Sequence, residues 1–161
     1  MTHFLVLLMA LLIGVVAGLR SLTAPAVVAW AAYLSWINLH GTWASWVGNL
    51  VTVVILSLLA VAELVNDKLP KTPPRTAPPV FAVRIITGAF AGAVIGTAWG
   101  YKWGGLGAGV VGAALGTLGG YQARKRLVAG VTGGKDLPIA LLEDAVAIGG
   151  GLAIAAATAT L

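Results

Sequence analysis

Five acids are spread along the chain, and their spacing sorts them into groups. Glu63 and Asp67 stand four residues apart, so a helix carries them on one face. Glu143 and Asp144 are adjacent, and Asp136 precedes them. Glu63 lies inside the apolar run from Leu56 to Val65. Glu143 lies between Leu141-Leu142 and Ala145-Val146-Ala147. A carboxylate in hydrocarbon costs a few kcal/mol unless it is paired or wet. Arg20 and Arg84, at matching depth in neighbouring runs, are the expected partners. Arg20, Glu63, Asp67, Arg84, Glu143 and Asp144 therefore form the candidate site. Two chemistries fit it: a polar site for a small solute, ion or proton, or a structural ion-pair network that pins helices together.

Other chemistry is excluded or weak. Cysteine is absent, which removes thiolate metal sites and a Cys nucleophile. His3 and His40 are too far apart for a zinc motif. No Gly-x-Ser-x-Gly, P-loop, His-Glu-x-x-His or dinucleotide fingerprint is present, so no enzyme and no cofactor is expected. The segment Gly18-Leu19-Arg20-Ser21-Leu22-Thr23-Ala24-Pro25 admits two interpretations. A helix starting near Thr23 would offer free backbone N–H groups to an anion, or Ser21 or Thr23 would simply cap it. Arg124-Lys125-Arg126 marks a cytoplasmic end and would touch anionic lipid headgroups, at about 1 kcal/mol per residue.

The elements that must position these residues are six apolar runs. They span Phe4 to Leu19, Ala24 to about Leu39, Trp46 to Val65, Val80 to Trp99, Leu106 to Gly120 and Leu137 to Leu161. No Lys or Arg precedes the first run and Arg20 follows it, the reverse of a signal peptide's order, so a first helix is expected there. A Pro-rich stretch, 71–79, separates halves 1–70 and 80–161 and is expected to be a loop. The basic residues after runs one, three and five place those ends in the cytoplasm, while Trp36, Trp43, Trp46, Trp99, Tyr101 and Trp103 gather at the other interface. Both termini are then expected outside. Three spans per half would run the halves oppositely, as in inverted-repeat transporters, although the residue match between halves is poor.

Composition explains why these runs belong in lipid. The 161 residues are 59% hydrophobic and 9% charged, against roughly 25% charged in soluble domains. Mean hydropathy is +0.96. A soluble domain of this size cannot bury that much apolar surface and still coat itself with polar groups. The net charge of +5 marks the cytoplasmic side and needs no nucleic acid. Glycines recur every four residues at Gly14 and Gly18, at Gly88, Gly92 and Gly96, and at Gly112, Gly116 and Gly120. Such stripes let helix backbones approach closely, within one chain or between copies in a homo-oligomer.

The landmarks Ala17-Gly18-Leu19-Arg20-Ser21, Glu63-Leu64-Val65-Asn66-Asp67-Lys68-Leu69-Pro70, Thr132-Gly133-Gly134 before Pro138, and Leu142-Glu143-Asp144 carry a resemblance. The chain resembles, over nearly its whole length, the DUF4126 family of small bacterial integral membrane proteins of unknown function. Lys135-Asp136 departs from the more neutral loop expected there. The resemblance implies a multi-pass helical protein of the bacterial inner membrane and supplies no substrate. The sequence therefore reads as an all-α polytopic membrane protein with about six transmembrane helices in one domain. Its expected function is a small transporter or channel. The alternative is a non-transporting protein that binds lipid or a partner, with the charges acting structurally.

Overall fold

The computed structural model describes residues 2–68, 74–131 and 133–160. These residues form six α-helices and, among the described residues, no strand. They are α1 (His3–Leu19), α2 (Thr23–Tyr33), α3 (Leu50–Asn66), α4 (Pro78–Ala98), α5 (Lys102–Gly130) and α6 (Leu137–Thr160). A 3-10 turn, Ser45–Gly48, lies between α2 and α3.

Local chemistry sets the ends. The Thr2 hydroxyl accepts from Leu5 N at the start of α1 (3.4 Å). Asn49 Oδ1 accepts from Val51 N at the start of α3 (3.0 Å). Gly100, at φ +81°, makes the sharp turn from α4 into α5, a backbone angle that suits glycine.

The core is a trio, α1, α4 and α5, held by backbone-to-backbone contact. A methyl group added at Gly92 would collide with the Gly105 carbonyl, and one added at Gly116 would collide with the Val15 carbonyl. One added at Gly18 would sit 2.6 Å from Thr117 N and 2.7 Å from Gly116 Cα. The glycines of α5 thus serve two seams. Gly105 and Gly109 meet Gly88, Gly92 and Gly96 of α4. Gly112 and Gly116 meet α1 between Leu11 and Gly18. In lipid, where burying apolar surface gives little, this close dispersion contact is what holds helices together. The stripes thus pack within one chain, the first of the two uses open to them.

The remaining helices surround the trio. α2 is mostly buried, with Val27 and Val28 in the core. α3 packs on α2 and buries only Val53, leaving Leu50, Val51, Val54, Ile55, Leu58, Leu59, Val61 and Val65 exposed. That is a liability in water and is ordinary in hydrocarbon. α4 and α6, with 21 and 24 residues, are long and apolar enough to cross a membrane. α1 and α3 are shorter apolar helices of 17 residues each.

Several expected boundaries move. The second run was expected to stay helical to about Leu39, but α2 stops at Tyr33. Trp36 N and Ile37 N both fold back onto the Ala31 carbonyl, and Ser35 turns at φ +60°. Ile37 and Leu39 are buried as loop residues, so their apolar character had a cause other than a helix. Pro78 and Pro79 belong to the first turn of α4 and not to a loop, since proline's missing N–H costs nothing there. Residues 69–73 of the expected loop lie outside the described residues. Arg124-Lys125-Arg126 does not close α5, which continues to Gly130 through good helix formers. An inverted repeat would pair α2 with α5, and these have 11 and 29 residues.

Gly92→Leu and Gly116→Leu should each lower the thermal unfolding midpoint in detergent sharply or abolish monodisperse protein. Wild-type behaviour of both, by size exclusion and thermal scan, would show that α5 does not seat its backbone on α4 and α1.

Candidate functional site

The helix order brings one end of every helix to the same place. α1 and α3 end there, α4 and α6 begin there, and the last turns of α5 reach it. Arg20 occupies the corner after α1 and is completely buried. Its Nη1 donates to Asp67 at the end of α3. Its Nη2 lies 2.6 Å from Asp144 Oδ1 and 3.8 Å from Glu143 Oε2. The contact with Asp144 is an ion pair, but neither of its two atoms makes an aligned hydrogen bond.

Glu143 receives a two-pronged grip from Arg75, whose Nη2 donates to Oε2 at 2.7 Å and whose Nη1 donates to Oε1. This planar fork is the strongest arrangement for the pair. Lys68 Nζ donates to Asp144 Oδ2 (2.6 Å). Arg124 donates from Nε (2.9 Å) and Nη2 (2.6 Å) to Asp136, and from Nη1 to Glu143 Oε2 (3.3 Å). Arg124 Nη1 also lies 3.6 Å from Asp67 Oδ2. Four acids are thus tied to four cations in one continuous network.

Glu63 and Arg84 are held differently. Glu63 Oε1 accepts from Ser21 N (2.8 Å) and from the Ser21 hydroxyl, and Oε2 accepts from Leu22 N (2.7 Å). The carboxylate sits at the start of α2, where the helix dipole and unpaired N–H groups favour negative charge. Arg84 Nη1 donates to the carbonyls of Gly18 (2.6 Å) and Leu19 (2.7 Å), the last of α1, where positive charge is favoured. The chain corner between α1 and α2 is therefore clamped by an acid from α3 and an arginine from α4.

The structure brings all six expected residues to one end of the bundle. It corrects one expected partnership and keeps another. Glu63 has no cation within ion-pair distance among the described residues, because helix-end N–H groups supply its donors. Glu143 lies within ion-pair reach of Arg20 (3.8 Å), as expected, and Arg75 grips it more closely. Lys68, Arg75, Arg124, Asp136 and Ser21 join a site in which sequence reasoning had not placed them. A signal existed for Arg124. It continues the spacing Gly112, Gly116, Gly120 by four more residues, so it must point toward the end of α1. Arg84 likewise extends Gly88, Gly92 and Gly96 backwards. Arg75 had no signal beyond its charge.

Beside the network is a recess of about 210 Å³ lined by Ser21, Glu63, Asn66, Asp67, Val80, Val83 and Arg84. At the other end a cavity of about 540 Å³ is lined by Ala32, Ser35, Asn38, His40, Ser45, Trp46 and Asn49, among others. That end also carries the aromatics. The Trp43 indole donates to Thr97 Oγ1 (2.9 Å), and Lys102 Nζ lies 5.0 Å from the Trp43 ring and 4.8 Å from the Trp103 ring.

Residues 85–124, from Ile85 in α4 to Arg124 in α5, match the family model of the glycine zipper 2TM domain. The match coincides with the α4–α5 hairpin whose glycines interlock. No match to the chain was found among curated proteins or solved structures. The glycine zipper and the two long apolar helices mark a membrane-associated helical protein.

Burial pushes the Asp67 carboxyl up, but its hydrogen bond to Arg20 and the nearby Arg75 and Arg124 charges outweigh this and hold it below the usual range. The hydrogen bond from Arg124 does the same for Asp136. A depressed carboxylate stabilises the fold above its unfolded pKa, about 4, and loses that contribution as pH falls through the folded value. Thermal stability in detergent should therefore be level from neutral pH down to about 5 and fall below about 4. Asp67→Asn should start lower and show a shallower acid fall. An unchanged acid profile in that variant would show that Asp67 does not contribute through its charge.

Proposed function

We propose that the chain is a polytopic integral membrane protein with all six helices in the bilayer, and that its charged end is a structural clasp and not an open pathway. One observation carries this: each of the five acids already has donors inside the protein. At Glu143 and Asp144, which are about nine-tenths buried, such internal partners hold helices in register, and removing one partner costs about 3–5 kcal/mol. The same end presents Lys125 and Arg126 outward on the last turns of α5, suited to anionic lipid headgroups of a cytoplasmic leaflet. The chain then works in the membrane by binding lipid or a protein partner. Membership of the DUF4126 family and placement in the bacterial inner membrane, with both termini outside, belong to this reading.

A small transporter or channel is the second reading. The observation favouring it is that α2, about 16 Å long, starts at the 210 Å³ recess and ends at the 540 Å³ cavity. A helix that covers only part of a membrane span, set between two opposed recesses, resembles the half-helices of transporters. Against it, Ala24 to Ala29 of α2 are buried, and the acids face their own partners.

Single-cysteine labelling tests the topology. Arg75 is buried and ion-paired, so Thr76, which is exposed, is the usable probe of that end. A membrane-impermeant maleimide added outside should miss Thr76→Cys and reach Lys102→Cys. Labelling of Thr76→Cys from outside, or of both, would overturn the assigned orientation.

A further inference from the structure

The start of α2 has the build of an anion receptor. Ser21 N, the Ser21 hydroxyl and Leu22 N converge on one carboxylate, so three donors meet two oxygens in a compact cradle. Helix starts bind free anions in this way, with the backbone supplying donors and the dipole supplying the field. In this chain the bound group is a side chain from α3. It reaches the cradle from a separate helix and has no ion pair of its own among the described residues.

One further side chain points to a ligand at this place. Arg84, only 2% exposed, lines the recess beside Glu63 and Ser21. Its Nη1 is used on α1, yet its Nε has no hydrogen-bond partner. Buried polar groups are nearly always partnered, so an unanswered guanidinium nitrogen on a residue lining this recess is unusual. Asp67 lines the same recess, but its charge is answered by Arg20 and Arg124. Without the Glu63 carboxylate, Arg84 would keep only Asp67 as a nearby acid, and Asp67 is shared with Arg20 and Arg124.

We propose that the start of α2, with Arg84 at its side, is a small-anion site whose resident ligand is the chain's own Glu63 carboxylate, and that a free monoanion with a carboxylate-like face takes the cradle when Glu63 leaves it. The recess of about 210 Å³ is the entry for that anion and the space into which Glu63 withdraws. This goes beyond the clasp described above. Among the described residues Glu63 is the one acid outside the ion-paired network, so its cradle can exchange ligand while Arg20, Arg75 and Arg124 keep theirs.

Thermal unfolding of wild-type protein and Glu63→Ala in detergent, titrated with sodium formate or with sodium gluconate at equal ionic strength, tests the site. Gluconate is a carboxylate too bulky for the cradle. The variant should unfold at lower temperature than wild type and regain more than half of that loss with formate, saturably. Gluconate should not restore it, and wild type should respond alike to the two salts. Equal effects of formate and gluconate on the variant, or a formate gain in wild type as large as in the variant, would overturn the proposal. If Glu63→Ala does not fold, Glu63→Gln serves. Its amide NH2 faces donors and must yield the cradle to formate, so a variant that folds and gains nothing from formate overturns the proposal equally. Neither variant alters the ion pairs of Arg20, Arg75 or Arg124, so failure here leaves the clasp standing.

Discussion

Everything in this fold depends on how closely α5 lies against α1 and α4. Glycine at the seams removes the side chains that normally hold helix axes 8–10 Å apart. A single methyl at Gly14, Gly92, Gly105, Gly109, Gly112 or Gly116 would collide with backbone of a neighbouring helix. The seams therefore tolerate no intermediate spacing. In a bilayer, where burying an apolar side chain gains little, this fit is the main attraction between helices.

The charged end follows from that spacing. Arg84 and Arg124 continue the glycine stripes of α4 and α5, so seating the stripes carries both guanidiniums to the corner after α1. There Arg84 closes the last carbonyls of α1, while Arg124 meets acids from α3 and α6 and from the turn before α6. Packing and electrostatics are thus one device: the zipper sets the distance, and the ion pairs fix the register at that distance. Buried ion pairs add little net stability against well-packed apolar groups, but they punish misalignment severely. In helices with smooth, glycine-lined surfaces, sliding is the error to be prevented.

Much of this was legible in the sequence. The six helices, the glycine stripes and the gathering of acids near basic residues follow from hydropathy, spacing and charge. The end of α2 was not legible, because Leu34, Trp36, Ile37 and Leu39 read as helix continuing, whereas Ile37 and Leu39 are buried by a loop. The extent of α5 was missed because a basic triplet looks like a helix end, although Arg and Lys favour the last turns of a helix. The partner of Glu63 could not be found by pairing charges at all. Its donors are mainly backbone N–H groups, and those become available only where a helix happens to begin. Arg75 lies in a proline-rich stretch whose sequence has no period, so nothing aimed it at Glu143.

The central claim is that seam spacing and charge network are one device. A double-mutant cycle between Gly116→Ala and Arg124→Gln tests it most directly. The two residues are about 12 Å apart along α5, beyond the 7–10 Å at which independent substitutions normally become additive. If the seam positions the network, widening it already loosens the Arg124 ion pairs. The double variant should then lose clearly less stability than the sum of the two single losses, by about 1 kcal/mol or more. Additive losses would show that the glycine seam and the ion pairs stabilise the fold independently, and would contradict the account.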